Sequence, residues 1–199
     1  MSASGTDTPE ALVRLAIGSL ARAIDADADG RAGHAAALLR KVWEHFLPYT
    51  IWDRATQLTA GRYWRQAAPD QRMRIAHEYR QLMLLTYVEA LLPVRAGAAL
   101  EVEPAGSGDA DADADADADT IVRTRIAGAA GAALALDYRL ARTPSGWRIY
   151  DLKTGGGWFI MRYQQAFAEE VQRNGYVGLR DRLRREKEGL AARLGVAPD

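Results

Sequence analysis

Asp25, Asp27 and Asp29, alternating with alanine and followed by Gly30, reproduce the first half of an EF-hand calcium loop, including the glycine at its sixth position. That chemistry needs a bidentate glutamate at the twelfth position, where this chain has Ala36, so the segment reads as a polar turn between helices. His77-Glu78 would open a zinc-protease helix, but residue 81 is Gln81 rather than a second imidazole one turn on, and neither His34 nor His45 has a triad partner in the sequence. Lys153-Thr154 followed by Gly155-Gly156-Gly157 resembles a phosphate cradle without its spacing, and glycines after a strand relieve a turn. No Gly-x-Ser-x-Gly elbow occurs. Asp151, between Tyr150 and Leu152, is the one carboxylate in an apolar run; a buried acid is more often held by backbone or arginine donors than used in catalysis. The reading is therefore a binding protein, not an enzyme, with no metal site and no cofactor.

Composition agrees with a globular chain. Its 199 residues, 48% hydrophobic, suffice for one domain spanning 1–199 with a real core. Lys plus Arg equals Asp plus Glu at 26 each, so no net field recruits a phosphate backbone, and nucleic acid is not an expected partner. The absence of cysteine removes disulfides and thiolate chemistry and fits an oxidising compartment. The first residues lack a basic region and apolar run, so an exported form would have lost its signal peptide from the chain as given. No window is apolar enough to span a bilayer.

The elements that must position any site follow from periodicity. Thr8 and Pro9 predict a helix start, with Leu12, Leu15, Ala16, Leu20 and Ile24 at helical spacing. Ala35, Leu38, Leu39, Val42 and Phe46 predict a second helix that Pro48 ends; Tyr49, Trp52 and Thr56 predict a third, closed by Gly61 as a left-handed cap. Pro69 starts the longest, whose later part, around Leu82 to Val88, is apolar nearly all round and must be covered on more than one side. Alternation then takes over in Leu100 and Val102, in Val122, Thr124 and Ile126, in Leu134, Leu136, Tyr138 and Leu140, and from Trp147 to Leu152, predicting a four-stranded antiparallel meander with a turn at Ser145-Gly146. Helical spacing returns through Ile160, Tyr163, Phe167 and Val171, breaks at Asn174-Gly175 and resumes through Leu179, Leu183, Leu190 and Leu194. The expected class is α+β: a helical part at about 9–92, a sheet at about 95–153 and C-terminal helices at about 158–195, with both sets of helices packed on a curved sheet, NTF2-like in outline. The Asp-Ala run within 108–119 reads as a flexible, solvated hairpin loop; a loose cation trap is the sharper alternative.

Two surfaces carry functional information. The aromatic stripe Tyr49, Trp52, Tyr63, Trp64, Tyr79 and Tyr87 exceeds what a solvated helical pair would carry, although any one member has core packing as its ordinary explanation. The basic residues Arg173, Arg180, Arg182, Arg184, Arg185, Lys187 and Arg193 alternate with acids and read as a solvated face, with docking to acidic partners or headgroups as the minority reading.

Phe46-Leu47-Pro48-Tyr49, Gly61-Arg62-Tyr63-Trp64-Arg65, Pro69-Asp70-Gln71-Arg72, Tyr79 and Thr86-Tyr87 together resemble the MlaC-type phospholipid-binding proteins of the toluene-tolerance family. Gly146-Trp147-Arg148-Ile149-Tyr150-Asp151, the pair Tyr163 and Phe167, and Asn174-Gly175-Tyr176-Val177-Gly178-Leu179 continue that order to about Leu183. The resemblance implies a periplasmic carrier that holds phospholipid acyl chains in a deep apolar pocket. It also implies two partners, an outer-membrane lipoprotein complex and an inner-membrane ABC transporter with an MCE-domain subunit, and a part in outer-membrane lipid asymmetry. On that reading tail contacts fall on Leu47, Tyr49, Trp52, Met83, Tyr87, Leu136, Tyr138, Ile149, Ile160, Tyr163 and Phe167, with Trp158 as part of a flexible lip, and Tyr138→Arg or Leu136→Glu should abolish lipid binding without unfolding the chain. Ile51 where the family carries an acid, and Gly155-Gly156-Gly157-Trp158 where it carries a Gly-Val-Ser type turn, leave a hopanoid-type lipid as an alternative cargo. The rival classes are an NTF2-like small-ligand enzyme or sensor using Asp151 or His77, and an interaction module with a filled core.

Overall fold

The computed structural model describes residues 8–25, 34–94, 98–104, 106, 120–127 and 133–197. Helices α1 (Pro9–Asp25), α2 (His34–His45), α3 (Trp52–Ala60), α4 (Arg62–Gln66) and α5 (Pro69–Leu91) precede strands β1 (Leu100–Val102), β2 (Thr120–Ala127), β3 (Ala133–Thr143), β4 (Gly146–Thr154) and β5 (Gly157–Trp158), and α6 (Phe159–Leu194) follows. The class is α+β, with one curved antiparallel sheet in the order β1-β2-β3-β4-β5. Five strands replace the expected four because β5 is two residues long, too short for alternation to register. The Asp-Ala loop at 108–119 and positions 26–30 of the calcium-like segment lie outside the described residues. Two compact units result, one drawn from Met1–Gly30, Lys41–Ile51 and Pro93–Gly156, the other from Arg31–Arg40, Trp52–Leu92 and Gly157–Asp199.

In the first unit α1 packs against β1, β2 and β4. The Thr8 hydroxyl accepts the Ala11 N–H at 3.2 Å, and Pro9 takes the first helical position, as the sequence predicts. Leu12, Val13, Ala16, Ile17, Leu20 and Ile24 form the buried face, while Leu15 is 39% exposed: the apolar stripe is turned from the expected phase, since Val13 and Ile17 complete it. On the sheet, Val122 lies opposite Tyr138 and Thr124 opposite Leu136, and the Thr124 hydroxyl donates to the Leu136 carbonyl at 2.8 Å. A register shift follows. Tyr138 pairs with Leu152 but Leu140 with Ile149, so Tyr150 is an extra residue in β4. Without that bulge, Ile149 and Leu152, three apart in a strand of period two, would point to opposite faces; with it both oppose core residues. A 3-10 turn at Leu47–Tyr49 reaches β4 at the same place, where the Ile51 N–H donates to the Ile149 carbonyl at 2.8 Å.

The second unit is built from α3, α5 and α6 packed on one another. Gln71 caps the start of α5 by accepting the Ala68 N–H at 2.9 Å, with Pro69 at the first position. Gln81, Leu82, Met83, Leu84 and Leu85 are all buried, which fits the expectation of a helix covered on more than one side. Gly61 takes positive φ, but its ψ of −129° makes it the start of the short α4 rather than a left-handed cap. The predicted break in α6 is a kink: Gly175, at φ 68° and ψ −170°, sits inside an otherwise continuous 36-residue helix. A Cβ at Gly178 would lie 2.2 Å from the Asn174 Cβ, so the bend demands glycine at both positions. The helix ends at Gly195 in the left-handed conformation, with N–H bonds from Gly195 to Ala192 and from Val196 to Ala191.

Basic residues of α6 pair with acids on the same helix and on α5. Arg180 and Arg184 pair with Asp181, Arg182 with Glu170 and Glu186, Arg173 with Glu169, and Arg193 with Glu89. Lys187 departs from the expected solvated face: it is 4% exposed, and its Nζ lies 2.9 Å from Glu78 Oε2. Glu78 thus serves an ion pair.

Two predictions follow from this geometry. Gly175→Ala forces an L-residue into a region that only glycine occupies readily and should lower stability by about 1–3 kcal/mol in urea unfolding, with circular dichroism in water unchanged. Lys187→Met leaves the Glu78 carboxylate uncompensated and should cost about 3–5 kcal/mol, whereas Glu78→Gln combined with Lys187→Met should recover most of it.

Candidate apolar binding site

The expected tail contacts divide between the units: Leu47, Tyr49, Leu136, Tyr138 and Ile149 belong to the first, and Trp52, Met83, Tyr87, Trp158, Ile160, Tyr163 and Phe167 to the second. In the first unit Leu136, Tyr138 and Ile149 share the buried face of the sheet, and the Phe46 and Tyr138 rings stand 6.2 Å apart, tilted. Leu47 and Tyr49, on the 3-10 turn, are half-buried beside β4. In the second unit Met83 and Tyr87 are fully buried, as is Ile160 nearly so. Trp158, expected at a flexible lip, is the N-cap of α6 and only 8% exposed. Trp52 opens α3 half-buried, its indole Nε1 closed off from water and without an acceptor.

The closest gathering of aromatic groups lies on α5 and α6. Tyr79, Tyr163 and Phe167 meet edge to face, with centroids 5.2 Å apart for Tyr79 and Phe167, 5.6 Å for Tyr79 and Tyr163, and 6.4 Å for Tyr163 and Phe167. Tyr163 and Phe167 meet because residues four apart share a helix face. The Tyr79 hydroxyl lies 3.1 Å from that of Thr59, which donates to the Ala55 carbonyl at 2.8 Å. Burial pushes the Tyr163 phenol up, reinforced by the negative charge of Glu186.

Behind Phe167 is a cleft that the sequence reading did not foresee, bordered by Ala60, Tyr63, Trp64, Ala67, Ile75, Phe167, Val171, Tyr176 and Leu179. Its volume is about 10 Å³, room for roughly one water molecule, and its lining is apolar. At its edge the Tyr63 hydroxyl accepts from Gln172 and from Arg62 at 2.8 Å, and the Tyr176 hydroxyl donates to the Tyr63 carbonyl at 2.9 Å. The Gln172 bond, then that from Arg62, holds the Tyr63 phenol below its usual range. Both ends of this cluster were visible as the Gly61-Arg62-Tyr63-Trp64 and Asn174-Gly175-Tyr176 motifs. Their meeting was not.

Polar chemistry is sparse in both units. Asp151, 4% exposed, accepts the Leu152 N–H at 2.9 Å and faces Arg139 at 3.4 Å, which is the structural role expected of it. His77 is exposed on α5. His45 does have a hydroxyl neighbour, with Ser19 Oγ 3.2 Å from its Nδ1, but the acid beside it, Glu44, is more than half exposed and 4.0 Å away. Among the described residues no three His, Asp or Glu side chains are placed to share a metal ion, and no helix is long and apolar enough to cross a membrane.

A family model described as MlaC protein matches residues 16–185. Among solved structures the chain is similar to a phospholipid-binding protein from Ralstonia solanacearum determined in complex with a phospholipid: the TM-score is 0.77 and the identity 32%, over 95% of this chain and 99% of that one. No curated protein matches.

The perturbed phenols of Tyr63 and Tyr163 give a test in alkali. Tyrosinate absorbance should rise first from Tyr63, so Tyr63→Phe should remove the earliest component of the titration. For Tyr163 the sign runs the other way: its folded pKa is raised above 10.0, so the folded state is undiminished below that pH. Stability falls as pH climbs through the raised value, because the unfolded chain ionises first. Tyr163→Phe should flatten that decline when melting temperature is followed from neutral to alkaline pH.

Proposed function

Since this chain belongs to the MlaC protein family, we propose that it is a lipid carrier whose tail contacts are the twelve residues placed above. The observation that carries the reading is the end-to-end likeness to a protein solved with a phospholipid bound. Its work is to bind and hand over, not to catalyse. The cargo is a diacyl phospholipid, taken up in the periplasm and passed between an outer-membrane lipoprotein complex and an inner-membrane ABC transporter through its MCE-domain subunit. Two tails with roughly 30 methylenes between them, at about 0.8 kcal/mol each, represent on the order of 20 kcal/mol of hydrocarbon to be kept from water in transit. A shallow surface cannot do this.

The fully buried state of Met83, Tyr87, Leu136 and Tyr138 bears on how the cargo is seated. Side chains without exposure touch a tail only after their own neighbours move aside, so uptake exchanges one set of apolar contacts for another. The same burial alters the choice of probes. A charge at Leu136 or Tyr138 would unfold the chain as readily as it would empty the site. Half-buried Leu47 tolerates one better.

Organic extraction and native mass spectrometry of purified protein should recover phospholipid, and Leu47→Glu should reduce the bound fraction by about tenfold or more, equivalent to roughly 1.4 kcal/mol, at unchanged melting temperature. Wild-type protein that carries no lipid, and takes none from phospholipid vesicles, would overturn the reading. A hopanoid recovered in its place would move the cargo to that class.

A further inference from the structure

We infer that Phe167 is the end wall of the acyl-chain site and sets the longest tail the protein accepts; the inference rests on the lipid-binding reading above. Tyr163, Phe167 and Val171 recur every four residues and form one stripe along α6, about 12 Å long from first to last. Exposure changes along it: Tyr163 is half-buried, Phe167 only 1% exposed. The Phe167 ring stands edge-on to Tyr79 and Tyr163. It also borders the cleft, together with Val171, Ala60, Ala67 and Ile75. Of the three clustered rings, Phe167 is therefore the one that also lines unfilled apolar space.

That space has no ligand of its own to hold. It is roughly water-sized and apolar, which suits neither an ordered water, needing polar partners, nor a small molecule, needing far more volume. It does have the properties of room beyond a stop. Ala60 and Ala67 are both buried and carry no side chain beyond Cβ, so they cannot fall inward to fill a vacancy if the ring is removed. Truncating Phe167 would add the ring's volume to the cleft and extend the stripe by one helical turn. Tail length, rather than headgroup, is then what this position reads.

The test presents the full chain with vesicles of equimolar dipalmitoyl- and distearoyl-phosphatidylglycerol and measures the two lipids bound by native mass spectrometry. Phe167→Ala should raise the ratio of bound stearoyl to palmitoyl lipid by about tenfold, the lower end of what the fit of added methylenes in an apolar pocket discriminates. Phe167→Leu, which keeps the position apolar and the helix intact, should move the ratio the same way by less. Adding Ala67→Phe to Phe167→Ala refills the cleft from another residue of its lining and should return the ratio toward wild type, which generalised loosening of the bundle would not do. An unchanged ratio in either folded single variant, with lipid still bound, overturns the assignment of Phe167 alone. Failure of the wild-type protein to take either lipid overturns the carrier reading and this inference with it.

Discussion

Exclusion of water from large apolar side chains is the constraint on which the rest of this molecule depends. Met83, Leu84, Tyr87, Val88, Leu136 and Tyr138 have no exposure at all, and several polar groups drawn into the interior are given partners. Asp151 has Arg139 and a backbone N–H, Glu78 has Lys187, and Thr59 has Tyr79 and a carbonyl. Buried charges without such partners would cost more than the surrounding hydrocarbon contributes. The bulge at Tyr150 answers the same demand in backbone terms, since it alone lets Ile149 and Leu152 face the core together.

Much of the architecture was legible because the pattern that builds it is periodic. Ile160, Tyr163 and Phe167 announced α6, and Leu136, Tyr138 and Leu140 announced β3, through contacts that recur every turn or every second residue. The misses share a physical cause: each depends on something other than period. The stripe on α1 could be drawn through Leu15 or through Val13 and Ile17, and only packing against the sheet selects the second. Lys187 looks like its solvated neighbours until the α5 glutamate opposite it is known. The extra residue in β4 is invisible to a count of two. In the candidate site, the meeting of Phe167 with Tyr163 follows from helical spacing, whereas the cleft behind them is defined by side chains that Ala60 and Ala67 lack, and absent volume leaves no mark in a sequence.

The kink in α6 joins these local rules to the site. Gly175 separates the segment carrying Tyr163, Phe167 and Val171 from the one carrying Leu179, Leu183 and Leu190, and Tyr176 next to it bonds back to the Tyr63 carbonyl. A straight helix would hold one heading past Val171. With the bend, residues before and after it, Phe167, Val171, Tyr176 and Leu179, border the same cleft. Glycine is required here by backbone conformation at 175 and by close approach to Asn174 at 178, two separate reasons within four residues.

Tight packing is compatible with the carrier role proposed above. Two tails transferred from water to a ready-made cavity would gain on the order of 20 kcal/mol, near the upper limit of non-covalent affinity, and such a complex would dissociate too slowly to pass its cargo on. If the side chains that meet the tails already meet one another, uptake gains only the difference between two apolar environments, less the cost of rearrangement. On that proposal the fold would set net affinity by how well it packs without lipid. The same reasoning assigns different work to different contacts. Under the proposal, contacts that repack, such as Met83 and Tyr87, would tune how strongly a tail is held, while the Phe167 ring, packed against Tyr79 and Tyr163, would limit how far the tail reaches.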